Sequence, residues 1–240
     1  MDGIKVNAVM LKACDYGEND KILTLLSDEL GKISAGIKGV KKAGAKLKFA
    51  AQPFCFAEYI LTKKGERYTV TQASEIESFY DLRTDINKFY AASAVCEAAS
   101  ALTFGGSEDN ALFTLTVQAL SNVCNHGESQ ALIKFLLSAL SVSGYTVGLD
   151  NCTECGSPLV SEDKMRFDMN SGSFTCWDCG TGAGVSGVTY NVLRLCAGKT
   201  YTPSYITPDG EKRALKLLRE YLTFKTDSKC KSLTEYIQLL

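Results

Sequence analysis

The sequence lacks the features that mark membrane and exported proteins. Among its 240 residues, no run approaches the roughly 18 consecutive apolar residues that a membrane-spanning helix needs. Residues 1–11 show no basic segment followed by an apolar core, so we expect no signal peptide, and neither end carries a lipidation signal. These absences predict a cytoplasmic protein without membrane contact, whose ten cysteines are kept reduced.

A strong charge of one sign is also missing. Lys and Arg number 26 and Asp and Glu number 27, which excludes a polycation of the histone-like kind. The charge is nevertheless segregated, since residues 1–80 carry a net charge of +2, residues 81–150 of −4 and residues 151–240 of +1. Nucleic-acid binding by one segment therefore remains open, and the three compositions indicate more than one domain.

Recognisable catalytic motifs are absent as well. The only histidine, His126, lies in a polar break, and no Gly-x-Ser-x-Gly sequence is present. Residues 197–200 (Ala-Gly-Lys-Thr) resemble the end of a phosphate loop, but the earlier glycine that such a loop requires is replaced by Leu193. We therefore assign no catalytic residue and expect a binding protein, not an enzyme.

The first 80 residues have the pattern of a small β-barrel. Short stretches rich in β-branched and aromatic residues alternate with glycine-containing turns. Predicted strands span residues 4–13, 21–28, 32–40, 54–62 and 67–76. Five short strands without room for crossover helices predict an antiparallel barrel. The length suits an OB-fold, although an SH3-like barrel would have the same strand count.

Helical periodicity follows the barrel and is interrupted once. We predict a helix over residues 85–103 with Ile86, Phe89, Cys96 and Leu102 facing inward. Thr207 before Pro208 predicts a helix start, and the capping-box pattern Ser232-x-x-Glu235 predicts another. The fold class is therefore α+β, with three predicted parts. They are an OB-fold barrel over residues 1–80, a helical domain over residues 81–149 and 188–240, and a module inserted at residues 150–187.

The inserted module contains two Cys-x2-Cys pairs. Twenty residues separate Cys152-Thr-Glu-Cys155 from Cys176-Trp-Asp-Cys179, a spacing typical of a structural zinc ribbon. Gly156 and Gly180 follow the pairs, where a tight turn favours a residue with free φ. The predicted ligands of one structural Zn²⁺ are Cys152, Cys155, Cys176 and Cys179, which leave no open coordination position for catalysis.

Other interpretations of the four cysteines stay open at this point. Thiolates also hold iron–sulfur clusters, a redox Cys-x-x-Cys pair would use only two of the four, and all four could be unligated. The remaining cysteines fall mostly within predicted strands and helices, and we expect them to be small core residues. They are Cys14, Cys55, Cys96, Cys124, Cys196 and Cys230.

A lysine-rich segment follows the third predicted strand. Between Glu29 and Glu58 there are six lysines, including Lys32, and no acidic residue. Lysines on a flexible loop can follow a phosphate backbone, although a solvated surface loop has the same composition. The predicted DNA-binding residues are Lys38, Lys41, Lys42, Lys46 and Lys48. Nearby aromatic residues that could stack on bases are Phe49, Phe54, Phe56, Tyr59 and Tyr68.

The order of these parts resembles that of the RecO family of bacterial DNA repair and recombination-mediator proteins. The local similarities are at residues 15–20 (Asp-Tyr-Gly-Glu-Asn-Asp), 30–39 (Leu-Gly-Lys-Ile-Ser-Ala-Gly-Ile-Lys-Gly) and 52–54 (Gln-Pro-Phe). Ser143-Gly-Tyr145, leading through Leu149 to the first cysteine pair, is a further similarity.

The resemblance implies a nucleoid-associated protein that binds single- and double-stranded DNA through its OB-fold and anneals complementary strands. It also implies binding to the C-terminal tail of single-stranded DNA-binding protein by the helical domain. With RecR, such a protein helps RecA to load onto DNA. Two alternatives from other classes are a protein-interaction adaptor with a zinc ribbon and a peptide-binding OB-fold, and an RNA-binding barrel.

Overall fold

The computed structural model describes residues 3–103, 109–159, 164–200 and 206–240, which form two compact units, Met1–His126 and Gly127–Leu240. The first unit contains five strands, then two helices. The strands are β1 (Ile4–Tyr16), β2 (Asp20–Ser27), β3 (Gly31–Ile37), β4 (Phe56–Lys64) and β5 (Arg67–Glu77). Each of the five predicted strands is therefore confirmed, with ends shifted by a few residues.

Strand pairing identifies the barrel as OB-like. The strands close in the order β1-β2-β3-β5-β4, and β4 pairs with β1 to complete the barrel. Four neighbouring pairs are antiparallel, whereas β3 and β5 are parallel, with Ala35 opposite Tyr68. This closure is the Greek-key arrangement of an OB-fold, so the pairing answers the question that the strand count left open.

Alternating side chains fill the barrel. Val6, Ala8 and Met10 of β1 point inward, as do Leu23 and Leu25 of β2. Because successive strand residues face opposite sides, each strand gives the core every second residue and leaves the others outside. A short 3-10 helix at residues 49–51 and the hydroxyl of Tyr59, which donates to the Ala50 carbonyl at 3.0 Å, close one end.

Two helices complete the first unit. Helix α1 (Ile86–Leu102) begins after Asp85, whose carboxylate accepts hydrogen bonds from two backbone N–H groups of the first turn. Helix α2 (Asn110–Asn125) begins after Asp109, whose carboxylate accepts one hydrogen bond, from Leu112 N. Buried alanines form much of the packed surface of α1. Ile86, predicted to face inward, is 61% exposed because it lies directly after the N-cap, and that prediction was wrong.

The second unit consists of helices and one small sheet. Within the described residues its elements are α3 (Glu128–Val142), β6 (Met165–Asp168), β7 (Ser173–Cys176), β8 (Ala183–Val185), α4 (Gly187–Cys196), α5 (Pro208–Thr226) and α6 (Lys231–Leu239). The sheet order is β7-β6-β8. Phe167 and Phe174 pack against each other and contact Tyr221 of α5 and Tyr190 of α4, with ring centroids 4.9–5.3 Å apart. These four aromatic rings join the sheet to the helices.

Two predicted helix starts in this unit had different outcomes. Thr207 is the N-cap of α5, its hydroxyl accepts a hydrogen bond from Gly210 N, and Pro208 is the first helical residue. The predicted capping box at Ser232 is wrong, because the N-cap of α6 is Cys230. Across the described ranges, no helix is long and apolar enough to cross a membrane.

Candidate metal centre and nucleic-acid interface

The two cysteine pairs adopt the same local turn. The N–H of Gly156 donates to the carbonyl of Cys152 at 2.9 Å. The N–H of Gly180 donates to the carbonyl of Cys176 at 3.3 Å. The β6–β7 hairpin brings the second pair beside the first. We call residues 150–187 the metal module.

The four sulfur atoms converge. All lie within 4.8 Å of one another, and Cys176 Sγ is 3.8 Å from Cys152 Sγ and 3.9 Å from Cys155 Sγ. A tetrahedral ion with metal–sulfur bonds of about 2.3 Å places its ligands roughly 3.8 Å apart. An iron–sulfur cluster distributes its thiolates over several irons and holds them farther apart. The geometry therefore fits one four-coordinate metal ion.

The cysteines interact strongly with one another and with a neighbouring serine. Hydrogen bonds from the side chain and backbone of Ser157 lower the pKa of Cys155 to about 6. Hydrogen bonding to Cys176 and Cys155 raises the pKa of Cys179. A bound cation stabilises all four cysteines as thiolates.

Glycines support the module for two different reasons. Gly156 has a φ of +74°, as the sequence predicted. Gly180 does not adopt a positive φ; instead, a Cβ there would overlap the Thr175 hydroxyl and crowd the Cβ of Arg166. The expectation of free φ at Gly180 was therefore wrong, and the residue is required by close packing.

Arg166 is a supporting residue that the sequence did not reveal. Its guanidinium lies 4.0 Å from the ring centroid of Trp177. It also donates to the carbonyls of Trp177 at 3.1 Å and Gly182 at 3.2 Å. Arg166 therefore holds the segment after Cys176 against the sheet, a role that no local sequence signal indicated.

The other cysteines are mostly core residues. Cys55, Cys96, Cys196 and Cys230 are buried, and burial raises the pKa of Cys96 and of Cys196 to about 12, so these thiols stay protonated at neutral pH. Cys14 is exposed near the end of β1, and its assignment to the core was wrong.

The lysine loop, residues 38–48, is a succession of turns. Lys42 N donates to the carbonyl of Gly39, three residues earlier. Ala45 N and Lys48 N likewise donate to the carbonyls of Lys42 and Ala45. Asp20 accepts a hydrogen bond from Gly39 N at 2.7 Å. The flexible segment expected from its glycines and alanines is instead hydrogen-bonded to the β1–β2 turn.

The five predicted DNA-binding lysines all lie on the surface of this loop. Lys38, Lys41, Lys42, Lys46 and Lys48 are exposed. Lys41 donates to the Asp15 carboxylate at 2.8 Å, and that hydrogen bond lowers the pKa of Asp15. Because exposed ion pairs are weak, Lys41 remains able to contact a phosphate.

Lys32 has a different role from the loop lysines. Its Nζ donates to the carbonyls of Ser100 at 2.6 Å and Thr103 at 2.8 Å, at the C-terminal end of α1. A cation at this end satisfies free carbonyls and the helix dipole. Burial lowers the pKa of Lys32, and we infer a structural role.

A cleft of about 440 Å³ lies between the β1–β2 turn, the β2–β3 surface and the start of β5. Lys21, Lys38 and Arg67 are among its lining residues, as are Tyr16 and Tyr68. This is the surface through which OB-folds bind oligonucleotides. Sequence reasoning missed Lys21, Arg67 and Tyr16, because only barrel closure brings β5 beside β3.

Most of the predicted stacking aromatics are not available to a ligand. Phe54 and Tyr59 are buried. Phe54 contacts Phe89 of α1, and Phe56 contacts Phe113 of α2. Of the five aromatic candidates, Tyr68 is the one that lines the cleft.

A second, smaller pocket of about 300 Å³ lies at the junction of α5 and α6. Its walls include Arg219, Lys229 and Lys231, together with Thr223 and Glu235. The pocket combines a cationic rim with apolar surface, so it suits a short peptide that is both acidic and hydrophobic.

Comparisons with known proteins agree over both units. The family model "Recombination protein O N terminal" matches residues 1–79, and "Recombination protein O C terminal" matches residues 83–234. The DNA repair protein RecO of Desulfitobacterium hafniense is 35% identical over 195 residues, which covers 78% of this chain and 71% of that protein.

Two further proteins of the same name show similar agreement. The protein from Desulforamulus reducens is 33% identical over 177 residues, covering 74% of this chain and 69% of its own length. The protein from Acetivibrio thermocellus is 30% identical over 181 residues, covering 75% of this chain and 71% of its own length.

Proposed function

Since this chain belongs to the RecO family of DNA repair proteins, we propose that it is a recombination mediator that binds single- and double-stranded DNA through its barrel. In this proposal it acts in the bacterial cytoplasm at the nucleoid, catalyses no reaction itself, anneals complementary strands and, with RecR, helps RecA to load. The observation that carries DNA binding is the cationic cleft of an OB-like barrel with the lysine loop beside it.

The proposed DNA contacts are electrostatic. Within the described part of the chain, the five exposed lysines of the loop form a single ion pair, between Lys41 and Asp15. Contacts to phosphates fix the position of a nucleic acid without reading its bases, which suits a protein that must act on any sequence. Lys38 belongs to both the loop and the cleft, so one strand can follow both surfaces.

The proposed cofactor is one structural Zn²⁺ held by Cys152, Cys155, Cys176 and Cys179. The support is the spacing of their sulfurs and the closed set of four thiolates, the arrangement that structural zinc sites use. When bound, the ion holds the two turns of the metal module together, and it leaves no coordination position for substrate.

The proposed partner surface for the tail of single-stranded DNA-binding protein is the α5–α6 pocket. An acidic tail would pair with Arg219, Lys229 and Lys231, and its apolar side chains would enter the pocket. We assign no surface to RecR.

A salt series tests DNA binding directly. Fluorescence anisotropy of a labelled single strand compares the native protein with a variant carrying alanine at Lys38, Lys41, Lys42, Lys46 and Lys48. If all five contact phosphates, the slope of log affinity against log salt is steeper by about 3.5 in the native protein, at about 0.7 per contact. A control with the same change of charge replaces exposed lysines of the second unit: Lys134, Lys164, Lys216, Lys229 and Lys231.

Three results would contradict the proposal. Absence of binding at low salt would favour a peptide-binding adaptor. Equal loss of affinity in both lysine variants would show that net charge matters and the loop does not. Stronger binding of RNA than of DNA with the same sequence would favour an RNA-binding barrel.

A further inference from the structure

Tyr16 occupies an unusual position at the edge of the barrel cleft. It is the last residue of β1, and the turn that follows contains Gly17 with a φ of +64°. Its side chain is 63% exposed. The phenol side chain of Tyr16 forms no hydrogen bond or ring contact with any residue in the described part of the chain. The ring therefore has a free face at the mouth of the cleft.

The turn that carries Tyr16 is held in place. Asp15, directly before it, pairs with Lys41, and Asp20, at the other end of the turn, accepts a hydrogen bond from Gly39 N. Lys41 N also donates to the carbonyl of Asn19 at 3.0 Å. Because the backbone on both sides is fixed, a contact by this ring costs little additional ordering.

Cations surround the same cleft. Lys21, Lys38 and Arg67 line it, against the acids Asp20 and Glu66. The Asp20 carboxylate is already engaged by the lysine loop. The combination of a free aromatic face with cations at several sides of one cleft matches a single nucleotide, whose base stacks while its flanking phosphates are neutralised.

The second tyrosine of the cleft is less available. Tyr68 is partly buried against the barrel core, and the ammonium of Lys63 lies 5.3 Å from its ring centroid. Tyr68 therefore forms part of the wall, and Tyr16 is the ring that a base can reach.

We infer that Tyr16 stacks on an unpaired base and gives the barrel a preference for single-stranded over double-stranded DNA. This inference rests on the proposed function and adds a residue that distinguishes the two forms of DNA. Bases in a duplex are already stacked on their neighbours and offer no free face to a tyrosine. The loop lysines contact phosphates, which both forms present, so duplex binding depends on the loop and not on Tyr16.

The test compares three variants by anisotropy with labelled oligothymidine and with a blunt duplex. Replacing Tyr16 with alanine weakens oligothymidine binding by about 5- to 150-fold, the range expected for one base stacked on an aromatic ring. Tyr16→Phe retains binding because it keeps the ring. Tyr80→Ala is the matched control, since Tyr80 is 64% exposed in the same unit but does not line the cleft.

Two further readouts separate stacking from charge and from misfolding. The salt slope of Tyr16→Ala equals that of the native protein, because no charge is removed. Its thermal melt is also unchanged, since the side chain is exposed.

The inference is overturned if Tyr16→Ala binds oligothymidine as the native protein does, or loses single-strand and duplex affinity equally. A Tyr16-dependent preference for oligouridine would overturn the assignment to DNA. If the native protein binds neither form of DNA at low salt, the proposed function fails instead, so the two failures are distinguishable.

Discussion

Removal of the proposed Zn²⁺ is the perturbation for which the structure gives the sharpest expectation. The metal module has a small apolar core, in which Met165, Phe167 and Phe174 are almost completely buried. Burying three such side chains contributes about 5–9 kcal/mol in total. A structural zinc site contributes about 10–16 kcal/mol at neutral pH. If the proposed ion contributes as such sites do, its contribution exceeds that of the core, and we expect the module to unfold when the ion is removed.

The helices of the second unit should respond less. Tyr190 of α4 and Tyr221 of α5 contact the sheet, but both helices also pack on other helices of the unit. Loss of the module exposes one side of these tyrosines and leaves their other contacts in place. We expect partial loss of stability with most helical circular dichroism retained.

Trp177 is the only tryptophan of the chain and directly follows one of the four cysteines, so its fluorescence reports on the module. In the folded module its ring is 43% exposed and stacks on Arg166. Chelation, or the substitution Cys152→Ser, should shift its emission to the red and lower the melting temperature. Cys14→Ser is the control, because this exposed cysteine lies outside the metal module. Metal release, measured with a chromogenic chelator, without any change in emission or melting would refute the reasoning.

Three further outcomes are expected. Alanine at Arg219, Lys229 and Lys231 should abolish binding of an acidic tail peptide in calorimetry while leaving oligonucleotide affinity unchanged; retained peptide binding would exclude the α5–α6 pocket. Lys32→Met should lower the free energy of unfolding in urea by about 1–3 kcal/mol, because two carbonyls lose a charged donor, and an unchanged midpoint would count against the structural role. The backbone N–H of Ser171 donates to the Asp168 carboxylate, and this hydrogen bond lowers the pKa of Asp168. The ionised Asp168 carboxylate therefore stabilises the fold above its pKa in the unfolded chain, near 3.8. This stabilisation is lost as the pH falls through the lower pKa that Asp168 has in the folded protein. Asp168→Ala should reduce that acid dependence in melts recorded across this range.

Features that depend on local sequence were predictable. The strands follow from alternation of apolar residues between glycine turns, and the cysteine quartet follows from two identical Cys-x2-Cys spacings. The helix start at Thr207 was also readable, because a capping hydroxyl and the following Pro208 act within one turn.

Features that depend on distant contacts were not predictable. Nothing near Lys32 indicates that its ammonium reaches the carbonyl of Ser100, 68 residues away at the end of α1. Gly180 also packs against the Cβ of Arg166 on the neighbouring strand β6, a contact that the local sequence does not reveal. The sequence suggested an N-cap at Ser232, but the N-cap of α6 is Cys230, two residues earlier, where no typical capping side chain marks the helix start. The sequence did not identify Tyr16 as a possible DNA contact, because its place at the cleft depends on the pairing of β3 with β5.

The parallel pairing of β3 with β5 has a consequence for how the barrel folds and how it can vary. The two strands meet only after the lysine loop, β4 and the β4–β5 turn have been enclosed, so barrel closure depends on contacts that are distant along the chain and is expected late in folding. The entropy of closing a loop rises slowly with its length, by about 0.6 kcal/mol for each doubling. Lengthening the exposed turns of the lysine loop therefore adds little closure entropy, whereas Val40, Ala50 and Ala51 of the same segment between β3 and β4 must keep their places in the barrel core.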